Sequence, residues 1–472
     1  KILQISERPN FKMSLLGKGA PKITVVGAGL AGLTAAYRLQ ESGYEVHVFE
    51  ARHRPGGRVL TAQLGGSYEE LGGKNFSDGG TVENSLKLIH ELGLEILEDE
   101  RPYFMSSCYW KHDCSLSEIL RKLKSPEMLA NELPEIAAHS RNLQEVIDTA
   151  FEDPDVRLIF TLVMRSYEGS DLKSLDPSNF DSIYGFLMNC IKAMKKADKG
   201  QILTVTWLTL KGGNAQLPLA LSEKLKNKIH YNHVLRALRN ENDKIILNFN
   251  HQKEISADLV LLAIPCPVLK DIDFGPKTIP HEQLSRIRSI QYGKNGKVLF
   301  PFSIENPSYD FFLSPEAIGW LNHDHRIMTF YYGVQPDTFT AQTAQSHFHQ
   351  GMHVMRAMYP SLTLETTSLR EARDQQLASY DGAVFKSWID DPFSKGSYSN
   401  RAVGTAGWLS ETEKCHGEKV RTAFRPVDDK IFFAGEHTTI LDAMGTLEGA
   451  IESGERMARL MNKVVRESSG IA

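Results

Sequence analysis

A β-branched run followed by a glycine-rich turn constrains the fold of this chain more than any other segment. The run is Ile23–Val26 and the turn is Gly27-Ala-Gly-Leu-Ala-Gly32. A helical pattern then closes near Gly43, and a second β-type run, Glu45–Phe49, ends at Glu50. A strand, a glycine turn, a helix and a second strand within about thirty residues form a βαβ unit, which predicts a parallel sheet.

The glycines of this turn have the spacing of a dinucleotide-binding fingerprint. The first permits a tight turn, the second lets the backbone approach a pyrophosphate, and the third allows close packing of helix on strand. The N–H groups at the start of the helix then face the phosphates. Glu50, 18 residues beyond Gly32, suits a ribose 2′-hydroxyl and would repel a 2′-phosphate. The predicted contact segment is Gly27, Ala28, Gly29, Leu30, Ala31 and Gly32.

The residues that follow Glu50 favour FAD over NAD as the dinucleotide. They read Ala51-Arg52-His53-Arg54-Pro55-Gly56-Gly57-Arg58, which is a second glycine pair flanked by arginines. Arginines next to the ribose-binding acid supply further donors where a longer cofactor needs them. The residues predicted to contact FAD here are Glu50, Ala51, Arg52, Gly57 and Arg58.

The length of 472 residues, about three times that of a typical domain, predicts more than one structural unit. Further β-type runs occur at Thr204–Leu210, Asp258–Ile264 and Ile431–Ala434, whereas residues 115–200 have mostly helical spacing. The predicted class is α/β plus α+β, with a Rossmann-type FAD-binding domain interleaved with a mixed-sheet substrate-binding domain. The predicted boundaries are 1–20 for an N-terminal extension, 21–80, 203–275 and 425–472 for the FAD-binding domain, and 81–202 and 276–424 for the substrate-binding domain.

Composition argues against several classes of function. The formal net charge is −4 with both signs interspersed, which does not predict a nucleic-acid partner. No apolar run is long enough for a transmembrane segment. Five irregularly spaced cysteines do not form a disulfide framework, although pairing of Cys108 with Cys114 stays open. His347, His349 and His353 are predicted to lie on a solvated helix face without a carboxylate or thiol partner, so no metal site is expected.

The compartment and the oligomeric state stay open at this level. Residues 1–20 suit the mature end left by an export signal as well as an ordinary leader. A soluble chain is expected, either cytoplasmic or exported. A homodimer is compatible with the sequence, which does not otherwise indicate a protein partner.

Further short motifs are spread along the chain from residue 50 to residue 450. They are Glu50–Arg58 (E-x-x-x-R-x-G-G-R), Leu71-Gly72-Gly73-Lys74-Asn75, Tyr167-Glu168-Gly169-Ser170, Lys211-Gly212-Gly213-Asn214, Phe433–Thr438 and Gly445–Ala450. With these motifs the sequence resembles the flavin-containing amine oxidase family, which includes monoamine oxidases, polyamine oxidases and L-amino-acid oxidases. The resemblance covers almost the whole chain and is weakest between residues 100 and 200.

The resemblance implies a cofactor domain like that of glutathione reductase, with a substrate domain laid over the flavin ring. The implied chemistry is transfer of a hydride from the amine-bearing carbon to flavin N5, followed by hydrolysis of the imine. Dioxygen or another acceptor then reoxidises the flavin. Further FAD contacts are implied at Gly72, Gly73, Lys74, Asn75, Val234, Gly435, Glu436, Gly445, Thr446 and Leu447.

The resemblance also implies a catalytic lysine and a mode of cofactor attachment. Lys297, four residues after Gly293, matches the family lysine that bridges through water to flavin N5, with Lys294 as the alternative. Monoamine oxidases place a cysteine for a covalent flavin link where this chain has Ser397. Because a serine cannot form that thioether, non-covalent FAD is expected.

Aromatic residues of the substrate cage are implied on one side only. Tyr398 matches one of the two aromatic walls that guide an amine to the flavin, and Trp388 matches an aromatic residue beside the flavin. The opposite wall falls at Thr446, which is not aromatic. A half-open cage favours a bulkier or more polar substrate than a simple arylalkylamine.

The residues around the cage favour a primary amine or a polyamine as the substrate. The arginine with which amino-acid oxidases hold a carboxylate is replaced by Asn75, although Lys74 lies next to it. Asp78 and Glu168 are candidates for binding a remote ammonium group. The alternatives are an L-amino-acid oxidase, a flavin desaturase or protoporphyrinogen-type oxidase, and a binding protein in which FAD is structural.

Overall fold

The structure is a computed structural model with a mixed α/β architecture. It describes residues 21–76, 82–103, 108–109, 116–250, 254–303, 309–315, 317–333, 342–364 and 368–469. Asp78 and Cys114, both considered above, lie outside the described residues. Two large sheets and a group of helices organise the molecule.

The parallel sheet predicted from the glycine turn has five strands. Their order is Ile431–Phe433, Leu259–Leu262, Ile23–Val26, Val46–Phe49 and Ile229–His230. Ile23 pairs with Leu259 on one side and with Val46 on the other, so the first strand lies in the middle. Gly27 and Glu50 directly follow two adjacent strands. They therefore lie at the carboxyl edge of the sheet, where open α/β sheets bind their ligands.

Two helices that flank this sheet lie in close contact. The helix Leu30–Glu41 packs against Leu447–Ser468, and a Cβ at Gly454 would lie only 2.5 Å from the carbonyl oxygen of Ala31. The helix Glu83–Glu91 packs on the C-terminal one and contributes to the same hydrophobic core. We therefore propose that the cofactor domain extends beyond the boundary at residue 80 that the sequence suggested.

The second large sheet has eight strands, antiparallel except at one edge. Its order is Ala378–Tyr380, Ala383–Ser387, Gly296–Ser303, Ile327–Tyr332, Ala317–Leu321, Phe311–Leu313 and Cys108–Tyr109, with Thr363–Leu364 paired to Gly296–Ser303. The helix Ala344–Met358 packs its apolar face on this sheet.

The prediction of a solvated histidine face was wrong for His347. That side chain is buried against the Tyr332 ring, 4.5 Å between centroids, because the helix turns it towards the sheet.

A group of helices with its own core lies between residues 116 and 197. These helices are Leu116–Leu120, Pro126–His139, Leu143–Ala150, Pro154–Glu168 and Phe180–Ala197. Asp153 begins the fourth of them, since its side chain accepts hydrogen bonds from two N–H groups of the first turn. Gly169, with φ +60°, ends that helix and leaves Tyr167 and Glu168 in its last turn.

Smaller elements connect these units. The remaining helices are Gln216–Lys224, His281–Ser289, Ser368–Asp374 and Ala406–Ser410. A four-stranded sheet contains Glu254–Ala257, Lys244–Phe249, Leu235–Glu241 and Asp273–Phe274. Two-stranded pairs are Thr61–Leu64 with Ser67–Glu70, Ile96–Pro102 with Thr204–Leu210, Gln291–Tyr292 with Ser399–Asn400, and Thr412–Cys415 with Glu418–Arg421. Among the described residues, no helix has both the length and the apolar character needed to cross a membrane.

Candidate active site

The first and third glycines of the turn are packed against backbone, whereas the middle glycine faces open space. A Cβ at Gly27 would lie 2.5 Å from the carbonyl oxygen of Ala263, and one at Gly32 would lie 2.0 Å from that of Gly27. Both contacts involve backbone, so neither position accepts a larger residue without movement. A Cβ at Gly29 would meet no atom of the described residues within 4 Å. The turn therefore presents its middle glycine to open space, as a pyrophosphate-binding turn requires.

Glu50 ties the glycine turn to the segment that follows the second strand. Its buried carboxylate accepts the N–H of Ala28 at 2.7 Å and the N–H of Arg52 at 2.8 Å. Each oxygen keeps a further lone pair for a ribose hydroxyl. The Arg52 guanidinium pairs with Asp391 at 2.5 Å and with Ser394 at 2.8 Å. Its charge is thus balanced by a residue far along the sequence.

One cavity of about 1300 Å³ extends from this turn to the eight-stranded sheet. It brings together almost all residues that the sequence singled out. The predicted residues that line it are Gly27, Gly29, Leu30, Ala31, Glu50, Ala51, Arg52, Gly57, Arg58, Gly72, Gly73, Lys74, Asn75, Glu168, Val234, Lys297, Trp388, Tyr398, Gly435, Glu436, Gly445, Thr446 and Leu447. Ala28 and Gly32 are buried behind the lining, and Asp78 lies outside the described residues.

A buried carboxylate organises the C-terminal side of the cavity. Glu436 accepts hydrogen bonds from Arg58 at 2.9 Å, from the Ser399 hydroxyl at 2.5 Å and from the Gly445 N–H at 3.0 Å. Burial raises the pKa of Glu436, but the Arg58 guanidinium and the other donors hold it below its ordinary value. The neighbouring His437 is buried, which lowers its pKa to about 4, and its Nδ1 lies 3.0 Å from the Tyr292 hydroxyl. Neither Ser399 nor Tyr292 belongs to one of the sequence motifs.

Lys297 lies at the second glycine turn. The residue is 5% exposed, and its Nζ donates to the carbonyl oxygens of Glu70 at 2.9 Å and Gly72 at 2.7 Å. The ammonium also lies 5.4 Å from the ring centroid of Trp320 and 5.6 Å from that of Tyr331. The strand Gly296–Ser303 thus carries the lysine into the cavity.

Aromatic side chains bound the cavity around this lysine. Trp388 donates its indole N–H to the Leu71 carbonyl oxygen at 3.1 Å. The hydroxyl groups of Tyr398 and Tyr331 lie 3.0 Å apart, and Tyr398 also donates to the carbonyl oxygen of Tyr167. The Tyr398 ring packs on the Gly445 turn, where a Cβ would lie 3.3 Å from the ring. Tyr331 belongs to none of the sequence motifs, and the strand Ile327–Tyr332 brings it to the cavity.

Lys74, for which the resemblance implies a cofactor contact, lies between a buried carboxylate and two indole rings. Its Nζ pairs with Glu69 at 2.5 Å and lies 5.1 Å from the centroid of Trp207 and 5.4 Å from that of Trp320. Burial, together with the Arg101 guanidinium, lowers the pKa of Lys74, and Glu69 opposes this shift. Neither tryptophan belongs to a recognisable motif, so their place in the cavity wall depends on the fold.

Carboxylates line the far end of the cavity. Glu168 accepts a hydrogen bond from the Ser182 hydroxyl at 2.7 Å on one oxygen. Burial raises the pKa of Glu168, while Ser182 and Arg401 act in the opposite direction. Asp181 and Asp442 also line the cavity, and Arg401 lies near all three carboxylates. In the part of the chain that the structure describes, no group of three or more His, Cys, Asp or Glu side chains is arranged to hold a metal ion.

The residues present fit FAD. The open face of Gly29, the buried Glu50 carboxylate and the second glycine turn at Gly72 lie along one continuous cavity. These residues provide sites for the ribose, the pyrophosphate and the flavin ring of FAD. Val234 lies in the lining where the adenine is expected.

Comparisons with known sequences agree with this arrangement. A family model described as flavin containing amine oxidoreductase matches residues 30–462. FLOWERING LOCUS D of Arabidopsis thaliana is 28% identical, with 93% of this chain and 55% of that protein covered. The chain spans about half the length of that protein and of the lysine-specific histone demethylase 1 homologs that it also matches. The flavin-dependent L-tryptophan oxidase RebO of Lentzea aerocolonigenes is 26% identical, with 93% of this chain and 97% of that protein covered.

Solved structures show the same fold. Cyclohexylamine oxidase from Brevibacterium oxydans IH-35A superposes with a TM-score of 0.67 at 19% identity, with 95% of this chain and 100% of that chain covered. A putrescine oxidase bound to putrescine superposes with a TM-score of 0.62 at 19% identity, with 93% and 98% covered. At this level of identity the superpositions establish the fold alone.

Proposed function

The chain belongs to the flavin-containing amine oxidoreductase family, and from that premise we propose that it catalyses the FAD-dependent oxidative deamination of an amine. The observation that carries this proposal is the position of Lys297, whose Nζ contacts the Gly72 carbonyl oxygen in the same cavity as Trp388 and Tyr398. Bound FAD would supply the acceptor for a hydride from the amine-bearing carbon; the resulting imine would be hydrolysed by water, and dioxygen would take up the two electrons and leave as hydrogen peroxide.

We assign separate roles to the three residues. The Lys297 ammonium holds a water molecule next to the reacting carbon. Trp388 and Tyr398 provide apolar surfaces that orient the amine and exclude bulk water. A neutral amine held in such a cavity reacts from a fixed position, which removes much of the entropic part of the barrier.

FAD binding is assigned to the lining residues that the sequence predicted as cofactor contacts, a set without Glu168, Lys297, Trp388 and Tyr398. The binding is non-covalent in this proposal. Ser397 occupies the position of the cysteine that carries flavin in monoamine oxidases. Its hydroxyl donates to Asn295 at 2.7 Å, and its carbonyl oxygen accepts from Arg58 at 2.8 Å. Trichloroacetic acid precipitation is therefore expected to release all of the yellow colour into the supernatant.

The favoured substrate is a primary amine or a polyamine. Glu168 supports this preference because one of its oxygens is bound by Ser182 while the side chain lines the cavity. A carboxylate at this position can pair with an ammonium group remote from the reacting carbon. Reaction at the near amine then leaves the remote charge in place.

Anaerobic reduction of the flavin tests the proposal. The purified holoenzyme is mixed with putrescine, spermidine, benzylamine, tyramine or several L-amino acids, and absorbance at about 450 nm, the visible band of the cofactor, is followed before air is readmitted and peroxide is assayed. Bleaching by a di- or polyamine is the expected result. Bleaching only by amino acids would contradict the substrate preference, and no bleaching by any of them would overturn amine oxidation.

A further inference from the structure

A second buried ammonium group lies beside Lys297 in the cavity wall. Lys74 is 12% exposed at its side chain and pairs with Glu69, which is 2% exposed and lies behind it, outside the cavity lining. Lys74 and Lys297 lie at the same distance, 5.4 Å, from the ring centroid of Trp320. Two cations therefore share one indole at the end of the cavity where the flavin ring is expected.

The charged groups that face Lys74 leave this end of the cavity without excess negative charge. They are Glu69, Glu70, Asp99, Arg101 and Lys297. Arg101 lies 5.1 Å from the centroid of Trp207 and pairs with Asp99 at 2.6 Å. Burial raises the pKa of Glu70 to about 7, so its carboxyl group is largely uncharged in mildly acidic solution. Three basic side chains, Lys74, Arg101 and Lys297, thus face three acidic ones, Glu69, Glu70 and Asp99.

The part of the cavity around Glu168 has more acidic than basic side chains. Glu168, Asp181 and Asp442 line it together with a single guanidinium, that of Arg401, which pairs with Asp442 at 3.1 Å. Burial and the nearby Asp442 raise the pKa of Asp181. This shift has the direction expected where carboxylates repel one another.

A wall of aromatic side chains connects the two ends. The centroids of Trp320 and Tyr331 lie 5.8 Å apart, and the hydroxyl groups of Tyr331 and Tyr398 lie 3.0 Å apart. Tyr398 in turn donates to the carbonyl oxygen of Tyr167, the residue before Glu168. A series of aromatic side chains thus separates the two lysines from Glu168 along the cavity wall.

We propose that the cavity binds a diamine or polyamine in a single direction because of this charge distribution. Lys74 is the positioning residue that sets the direction. The remote ammonium binds at Glu168, and the reacting amine lies at the lysine end. There Lys74 offsets the charge of Glu69, so the cavity favours the neutral amine, which alone has the lone pair that oxidation requires. The proposal rests on amine oxidation as the function.

Replacing one partner of the Glu69–Lys74 pair at a time tests this role. In Lys74→Met the uncompensated Glu69 carboxylate stabilises a protonated amine at the reacting end. The rate constant for flavin reduction by saturating putrescine falls at low pH, the acidic limb of the profile, because the amine becomes protonated. In this variant the acidic limb should therefore move to higher pH by about one unit, which is a tenfold change in the fraction of neutral amine. Glu69→Gln should move the limb to lower pH, because Lys74 then lacks its counter-ion.

The double variant Lys74→Met/Glu69→Gln and the surface variant Lys226→Met serve as controls. The double variant restores the net charge, so its limb should return close to that of the wild type. Lys226 is exposed and pairs with Glu223, and its replacement should leave the profile unchanged. If Lys74→Met does not fold, Lys74→Arg is the alternative variant. It keeps the positive charge, so its pH profile should have the wild-type acidic limb.

The outcomes separate this inference from the proposed function. If no amine bleaches the wild-type flavin, amine oxidation itself is overturned. If putrescine or n-butylamine bleaches the wild type but the limb stays in place in both single variants, only the role of Lys74 is overturned. An equal shift in the double variant would also overturn it, since the effect would then be steric and not electrostatic.

Discussion

The part of the cavity that receives the FAD backbone, the cofactor end, and the part that receives the amine, the substrate end, are built differently. The cofactor end contains several glycines, which have only backbone to present to the cavity. Some of them have positive φ, among them Gly27 (+105°), Gly57 (+57°), Gly435 (+142°) and Gly445 (+84°). The substrate end is lined by side chains from several distant segments. Trp207, Trp320, Tyr331, Tyr398 and Glu168 all lie there.

This difference explains why one end has a sequence signature and the other does not. A site made of backbone depends on which residues leave space and adopt unusual φ values, and only glycine does both. A site made of side chains tolerates many substitutions, provided that the sheet and helices that present them are kept. We therefore expect substrate choice to vary within this fold while the cofactor end stays constant.

The largest expected effect tests the steric role of the turn. Gly32→Ala places a Cβ 2.0 Å from a backbone oxygen, whereas Gly29→Ala meets nothing within 4 Å among the described residues. We expect Gly32→Ala to give protein without bound FAD and with a much lower melting temperature. Gly29→Ala should keep the melting temperature of the apoprotein but weaken FAD binding roughly tenfold to a hundredfold, or about 1.4–2.8 kcal/mol. Equal losses of stability in both would contradict the distinction.

The next effect concerns the junction between the two ends. Lys297→Met removes the buried ammonium that contacts the Gly72 carbonyl oxygen. We expect the anaerobic flavin reduction rate to fall roughly a hundredfold, within the range for loss of a positioned proton-handling group, with FAD retained. Lys294→Met is the matched control, since Lys294 is exposed, and its rate should stay within about twofold of the wild type. Similar losses in both would remove Lys297 from its assigned role.

A smaller effect is expected on stability at Glu70, behind the second glycine turn. Burial raises its folded-state pKa to about 7, above the value of about 4.3 in an unfolded chain. The folded state then holds the proton more tightly, so stability falls as the pH rises between these values. Glu70→Gln should therefore stabilise the protein at pH 8 by about 2 kcal/mol and have little effect at pH 5. Urea unfolding at both pH values measures this, and equal effects at the two would contradict it.

The smallest effect is expected at the far end of the cavity. Glu168→Gln keeps the size of the side chain and its contact with Ser182 but removes the charge. We expect the KM for putrescine to rise about fivefold to tenfold, or about 1–1.4 kcal/mol, because one ionic partner of the remote ammonium is lost. The monoamine n-butylamine is the control substrate, since it has no remote ammonium. A comparable increase for both amines would show that Glu168 does not recognise the second charge.

The cofactor end followed from the sequence by itself. Gly27, Gly29 and Gly32 after a strand, with Glu50 at the end of the next one, predicted the parallel sheet and the open face of the turn that the structure contains. The prediction succeeded because these constraints are local. Each glycine is required by atoms only a few residues away or on the adjacent strand, so the motif is contiguous and readable.

The tertiary structure decided the substrate end. The sequence identified Tyr398 and Lys297 by resemblance, but the surroundings of Lys74 depended on which partners the fold supplied. Trp207 comes from a strand paired with Ile96–Pro102, and Trp320 comes from the eight-stranded sheet. Charge balance and burial at a point in space are sums over such distant contributions, and no contiguous pattern encodes them. The physical reason is that electrostatic and packing interactions depend on distance in the folded molecule, whereas a sequence records only the order of the residues.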